Sequence, residues 1–282
     1  MPWDTVSGLT EADFEGIRTL VRERAAISLE LDRMPLVEAR LVGLARREGL
    51  PSAKALIELL DAEQSAGPVA RRVVEALTTH ETAFFRDFHP FEALRTVVIP
   101  DLLERIGDTR PLRIWCGAAS TGQEPHSMAM LLHTHFPEVE ARIVATDVSR
   151  AVLARCEVGR YSSLEVNRGL PAKLLVRYFD EAGLEWQLDS DLRACITLEP
   201  LNLAGDWPDW PPFDLVLMRH VLIYFDADTR QRVLRRVHGQ MTPGGCLLLG
   251  STEQPVGLDD CFAEERLGQT GWYRAIPAEG TP

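Results

Sequence analysis

The stretch Ile114-Trp115-Cys116-Gly117-Ala118-Ala119-Ser120-Thr121-Gly122-Gln123-Glu124-Pro125 decides how the chain reads. Leu112 to Cys116 reads as a buried strand that ends in small residues, and a helical pattern opens after them, through Met128 to His135. Strand, tight turn and helix in that order place a ligand at the carboxyl end of a strand in an open α/β sheet. The spacing of Gly117 and Gly122 matches the start of a phosphate loop, but Gln123-Glu124 stands where Lys-Ser/Thr is required. An acid there repels phosphate. The dinucleotide pattern G-x-G-x-x-G is not met either, so the turn suits a ligand without a pyrophosphate, and Glu124 suits a cationic group on it.

Working outward, Ala141 to Asp147 reads as a second strand whose last residue lies 25 positions after Gly122. An acid there can accept both hydroxyls of a ribose, and it equally suits the N-cap of the helix expected from about Arg150. A glycine turn, an acid ending the second strand and no phosphate apparatus together fit S-adenosylmethionine, whose ammonium matches Glu124. Phe213–Met218 and Gly245–Gly250 read as further strands with a helix, Asp228 to Gln240, between them. Strands interleaved with helices predict an α/β fold with a mainly parallel sheet covered on both faces. The span Tyr161 to Leu198 is less regular and reads as an insertion with antiparallel strands at Leu184–Leu188 and Cys195–Leu198.

Residues 1–76 read as helices only. Thr10 with Asp13 forms an N-cap signal before Phe14, Ile17, Leu20 and Val21 at helical spacing. A second helix starts near Pro35, carries Val37, Leu41 and Leu44 on one side, and stops at Gly49. A third runs from about Ser52 to Glu63, and a fourth begins near Val69 after the Gly67-Pro68 break.

The 282 residues carry 30 Lys+Arg and 42 Asp+Glu, a net charge of −12, which disfavours non-specific binding to nucleic acid. No apolar run reaches the ~18 residues of a membrane span, and Met1–Asp13 lacks the basic start of a secretory signal. The five cysteines, 116, 156, 195, 246 and 261, form no C-x-x-C pair, and buried thiols in a reducing cytoplasm are expected.

The motifs Thr82-Ala-Phe-Phe-Arg-Asp87, Ile114-Trp115, Ala119-Ser-Thr-Gly-Gln-Glu-Pro125, Ala129-Met130, Ala145-Thr-Asp147, Asn202-Leu203, Arg219-His-Val-Leu-Ile-Tyr-Phe225 and Gly244-Gly245 occur in this order. Together they closely resemble the signature of the CheR family, the chemotaxis receptor methyltransferases, over nearly the whole chain. The resemblance implies a class I, Rossmann-like S-adenosylmethionine-dependent methyltransferase domain over 77–282, with a small β-subdomain inserted at about 161–198. It implies an all-helical, receptor-docking domain over 1–76. The implied activity is methyl esterification of glutamate side chains on cytoplasmic helices of methyl-accepting chemotaxis receptors, releasing S-adenosylhomocysteine, without a metal. The implied setting is a cytoplasmic monomer at receptor arrays, with no membrane insertion.

By the same resemblance, His80, Thr82, Arg86, Gly117, Glu124, Asp147, Asn202, Leu203, Arg219 and His220 would line the cofactor site. Arg86 and Tyr224 would serve the transfer itself; Tyr224 equally suits a plain aromatic beside Phe225. The family usually shows an asparagine where His80 and His220 stand, and a tyrosine where His126 stands. Imidazole cannot copy both functions of an amide, and two histidines would make cofactor binding pH-sensitive near neutrality.

Residues 33–54 hold five basic residues and two acids. Arg33, Arg40, Arg46 and Arg47 on this helix are the expected receptor-docking face, although most such runs are solvated faces. The insertion, short after Phe179, favours a form that needs no receptor tether peptide. A metal at His126, His133 and His135 is disfavoured, because residues two apart on a helix face apart. Trp210-Pro-Pro-Phe213 resembles the D/N-P-P-Y of amino-group methyltransferases, but tryptophan cannot bind an exocyclic amine, so a rigid loop is expected.

Overall fold

The computed structural model describes residues 9–63 and 67–277. Residues 1–8 of the expected helical domain, 64–66, and 278–282 of the polar tail lie outside the described residues. Two compact units form: Met1–Thr79 with Tyr224–Asp226, and His80–Ile223 with Ala227–Pro282.

The helical unit holds α1 (Glu11–Ala25), α2 (Met34–Arg47), α3 (Ala53–Ala62) and α4 (Pro68–Leu77). Thr10 and Asp13 close a reciprocal capping box on α1, satisfying two amides that would otherwise lack partners. The predicted apolar faces of α1 (Phe14, Ile17, Leu20 and Val21) and α2 (Val37, Leu41 and Leu44) are buried, and so are Leu56 and Leu60 of α3 and Val73 and Leu77 of α4. Arg40 does not present a free charge. Its guanidinium donates to the carbonyls of Leu77 (2.7 Å) and Thr78 (3.2 Å) and to the Thr79 hydroxyl (3.2 Å), so it caps the last turn of α4. Arg33, Arg46 and Arg47 are exposed. Tyr224 belongs to this unit: its carbonyl accepts the Ser28 N–H at 2.8 Å, and Asp226 pairs with Arg22 at 3.3 Å.

In the second unit, α5 (His89–Ala93) runs through a π-helical turn (Leu94–Val98) into α6 (Ile99–Ile106). There follow β1 (Leu112–Gly117), α7 (Gln123–His135), β2 (Ala141–Asp147) and α8 (Arg150–Val158). The insertion comprises β3 (Arg160–Ser162), α9 (Ser163–Asn167), α10 (Ala172–Tyr178), β4 (Phe179–Ala182), β5 (Glu185–Leu188) and α11 (Ser190–Ala194). The chain closes with β6 (Ile196–Pro200), β7 (Phe213–Met218), α12 (Ala227–Gly239), β8 (Met241–Leu249), β9 (Phe262–Leu267) and β10 (Thr270–Ala275). The main sheet has seven strands in the order β6-β2-β1-β7-β8-β10-β9. Its first five strands are parallel, with Ile114 aligned to Ile143 on one side and to Leu215 on the other. The order turns back between β1 and β7, which opens a crevice at their carboxyl ends.

One expectation needs correction. Cys195–Leu198 is not an antiparallel strand of the insertion: Ile196–Pro200 pairs in parallel with β2 and forms an edge of the main sheet. A half-buried edge strand shows the same alternation whichever sheet it joins, so pattern alone cannot assign it. The small antiparallel sheet is instead β3-β5-β4, in which the expected 184–188 strand is central. The far end of the main sheet is an antiparallel hairpin, β9–β10, whose charged residues, Arg274 on Glu265 and Asp101, mask its strand pattern.

Asp214, near the start of β7 and 1 % exposed, ties three strands together. Its carboxylate accepts both Arg110 Nη atoms (2.7 Å each), the Arg113 N–H (2.9 Å) and the Thr242 hydroxyl (3.0 Å). It stabilises the end of the sheet opposite the crevice.

Candidate cofactor site

The site is built on the loop 118–122. Ala118 (φ +59°), Ser120 (φ +52°) and Gly122 (φ +97°) all take left-handed backbone, which is costly for the two that carry a Cβ. Neighbours hold them there. The Ala119 N–H donates to the Thr146 carbonyl (2.8 Å), Ser120 N–H to Asp147 Oδ2 (2.9 Å), and the Ser120 hydroxyl to the His80 carbonyl (2.9 Å). Gly122 has no room for a side chain: a Cβ would stand 2.4 Å from Cys156 Sγ and 3.0 Å from His126 Cε1. At Gly117 a Cβ would press on Met218 Cε at 3.1 Å.

Asp147 does not take the N-cap role that the sequence offered beside ribose binding. It ends β2, 6 % exposed, and its Oδ1 accepts the N–H of Ser149, the N-cap of α8, at 3.0 Å. Burial pushes its carboxyl up from the usual aspartate value, against the opposing Ser149 and Ser120 amides. A carboxylate has about four acceptor positions, so one engaged by two amides in a dry setting retains capacity for two hydroxyl donors. That is the capacity a ribose diol requires.

On the other side of the crevice, Arg219 follows β7 with its side chain only 1 % exposed. It donates to Glu124 Oε2 (2.9 Å), Asp87 Oδ2 (2.7 Å) and the Arg86 carbonyl (2.9 Å), and its buried Nε has no partner among the described residues. Glu124 at the head of α7 is thus half of an ion pair. His220 (φ +60°) sets Nε2 at 3.2 Å from Asp87 Oδ2. Arg86 donates to the Glu81 carbonyl (2.9 Å), and Glu81 pairs with Arg168. Phe84 is clamped between Tyr161 and Phe179, ring centroids 5.0 and 5.7 Å away, which anchors the segment bearing His80, Thr82 and Arg86.

Asn202 and Leu203 follow β6, and their loop is pinned by aromatics. Trp207 Nε1 donates to the Leu203 carbonyl (3.0 Å), the Trp115 ring meets Trp207 edge-on at 5.0 Å, and Arg236 lies 4.2 Å over Trp207. Trp210 packs on Trp115 and Phe213, so the Trp210-Pro-Pro-Phe213 segment is the expected rigid loop. Within the second unit, Gly117 and Asp147 end β1 and β2, Glu124 lies in the first turn of α7, Asn202 and Leu203 follow β6, and Arg219 and His220 follow β7. The Ser120 hydroxyl ties in His80 and the Arg219 guanidinium ties in Arg86, with Thr82 on the segment between them. Tyr224 lies in the helical unit. The sequence did not single out Asp87 as a partner of Arg219, although it sits inside the Thr82–Asp87 motif. Glu253 gave no signal at all.

His126 is core rather than ligand: it is 1 % exposed, with Nδ1 2.7 Å from the Tyr161 hydroxyl. That hydroxyl spends its single proton on the Thr121 carbonyl (2.7 Å), so the donor between the two is the imidazole Nδ1–H. Burial drives its pKa down to about 3. The unfolded chain therefore binds a proton that the folded one refuses, and stability falls as pH drops from about 6.5 towards 3, by at most about 1.4 kcal/mol per unit. Replacing His126 by phenylalanine is expected to flatten that slope in urea titrations between pH 7 and 4. Among the described residues, no three His, Cys, Asp or Glu converge on a metal geometry.

The residues fit S-adenosylmethionine: an under-solvated acid for the diol, a close-approach loop, and an orphaned buried donor beside paired acids for an amino-acid moiety. Residues 80–269 match the CheR methyltransferase SAM-binding domain, and 12–78 match the CheR methyltransferase all-alpha domain. Chemotaxis protein methyltransferase 1 of Pseudomonas aeruginosa is 36 % identical over 271 residues, covering 94 % of this chain and 98 % of that protein. Chemotaxis protein methyltransferase Cher2 of Pseudomonas putida is 37 % identical over 257 residues, covering 89 % and 93 %. A Vibrio anguillarum chemotaxis protein methyltransferase is 32 % identical over 267 residues, covering 92 % and 94 %. Site geometry, domain matches and near full-length relatives agree: the chain belongs to the CheR methyltransferase family.

Proposed function

We propose that this protein methylates glutamate side chains on the cytoplasmic helices of chemotaxis receptors, using S-adenosylmethionine and releasing S-adenosylhomocysteine. The observation that carries the reading is Asp147, a buried carboxylate with spare acceptor capacity at the turn-back point of the sheet. The bound cofactor supplies an electrophilic methyl group on a sulfonium. The chain's part is binding and orientation. Asp147 takes the ribose, Asn202 and Leu203 line the same loop end, and Glu124, held by Arg219, faces the ammonium. Thr82, His80, His220 and Arg86 complete the lining, with Gly117 admitting the ligand to the backbone. By resemblance alone, Arg86 and Tyr224 are assigned to shaping the transfer. A carboxylate acceptor is already a nucleophile at neutral pH, so positioning and exclusion of water suffice without a strong base or a metal.

Exposed Arg33, Arg46 and Arg47 are the proposed docking charges for acidic receptor helices, with Arg40 supporting them from its cap. Their steering should weaken with salt. The proposed setting is a cytoplasmic monomer at receptor arrays, without a tether-peptide requirement. No helix among the described residues is long and apolar enough to cross a membrane.

The test is transfer of tritiated methyl from labelled cofactor to receptor-bearing membranes. Label that base releases as methanol supports the reading. Cofactor binding without base-labile label on any receptor would point instead to a non-catalytic binding member. Label on a small molecule that persists after deletion of residues 1–70 would point to a small-molecule methyltransferase.

A further inference from the structure

We propose that Glu253 is a positioning residue: its buried carboxylate sets the loop after β7, and with it Arg219 and His220, in the form that binds the cofactor. The inference rests on the assignment of this crevice as the S-adenosylmethionine site. Glu253 is 6 % exposed, and among the described residues no lysine or arginine pairs with it. Its charge is instead met by peptide dipoles. Oε1 accepts the N–H of Leu222 (2.7 Å) and of Ile223 (3.3 Å), and Oε2 accepts the N–H of His220 (2.6 Å) and of Gly250 (2.8 Å). Four amides from two different strand ends therefore converge on one anion.

The local backbone is arranged to permit this. The Glu253 N–H donates to the Gly250 carbonyl at 2.9 Å, a tight turn that swings the side chain back over the end of β8 and across to β7. Gly250 leaves the space: a Cβ there would lie 2.6 Å from Glu253 Oε2 and 2.9 Å from His220 Nδ1. His220 carries a Cβ at φ +60°, a conformation that needs outside support, and its own N–H makes the shortest of the four bonds. Arg219, one residue earlier, must hold Glu124 and Asp87 together with an Nε left over. A loop wrapped on a fixed anion supplies that order before any ligand arrives, and binding then avoids the cost of ordering it.

Glutamine tests the point, because a carboxamide keeps the shape but has only one accepting oxygen; its NH2 would face two of the four N–H donors. In E253Q we expect S-adenosylhomocysteine, titrated by calorimetry at 25 °C, to bind tenfold or more weakly. Amide hydrogen exchange of residues 220–223 and 250 should speed up tenfold or more, while β1 and β2 stay protected. D214N, which removes an equally buried carboxylate at the other end of β7, separates loss of stability from loss of position. It should lower the melting temperature yet leave affinity within twofold of wild type. G250A pushes on the same carboxylate and should reproduce the E253Q signature; it is the deciding variant if E253Q does not fold. Affinity unchanged in a folded E253Q or in G250A, or exchange that speeds up uniformly through the sheet, overturns the positioning role alone. A wild-type chain that does not bind S-adenosylhomocysteine overturns this role and the cofactor assignment together.

Discussion

Arg219→Met is expected to lower folding stability by about 3 kcal/mol and to remove most cofactor affinity. Methionine fills similar apolar space over Phe91, so the change strips charge more than volume. It leaves Glu124 and Asp87 without the guanidinium that had bridged them at 2.9 and 2.7 Å, and Asp87 keeps only its His220 contact at 3.2 Å. Removing one member of a buried pair costs roughly 3–5 kcal/mol, and the lower end applies because Asp87 is 33 % exposed. The sign with pH follows from Asp87. Burial would raise its pKa, but the Arg219 charge and the His220 hydrogen bond outweigh burial and hold it below the usual value. A depressed acid contributes stability above its unfolded pKa and loses that contribution as pH falls through the folded one. The gap between wild type and variant should therefore be full at pH 7 and narrow below about pH 4. Urea unfolding at several pH values reads this directly. A gap that is constant with pH would mean that packing, not the ion pair, carries the loss.

Gly122→Ala acts on the opposite wall of the crevice. An alanine at φ +97° costs roughly 1–2 kcal/mol of backbone strain. The new Cβ, 2.4 Å from Cys156 Sγ, adds roughly 1–3 kcal/mol of overpacking. A destabilisation of about 3 kcal/mol is expected, with loss of cofactor binding as the loop and α8 separate. Adding Cys156→Ala removes the nearest clashing atom, so G122A/C156A should recover about 1 kcal/mol relative to G122A by thermal melting. If the double variant is no better than the single, steric conflict with α8 is not the cause.

Gly122 lies where the sequence was most legible. The change from an apolar strand to small residues and then a helix marks the 114–125 turn, and Asp147 stands out because it ends an apolar run. Those signals are local, and the local structure obeys them. What escaped depends on contacts distant in sequence. Arg40 reads as part of a docking charge run, yet the end of α4 captures it. Glu253 is a single acid in a polar turn, and only the spatial approach of β7 and β8 brings four amides to it. The β6 strand shows the alternation of any half-buried strand, and nothing in Ile196–Pro200 says which sheet it joins. Periodicity reports which face is buried; it does not report the partner.

Calorimetric titration of S-adenosylhomocysteine tests most directly whether Asp147 and the 118–122 loop bind S-adenosylmethionine. Wild type should bind one molecule per chain. Asp147→Asn should bind about 30-fold or more weakly, since hydrogen bonds to a charged acceptor contribute about 1.5–3 kcal/mol each. Equal affinity in the two proteins, or no binding by wild type, would contradict the account.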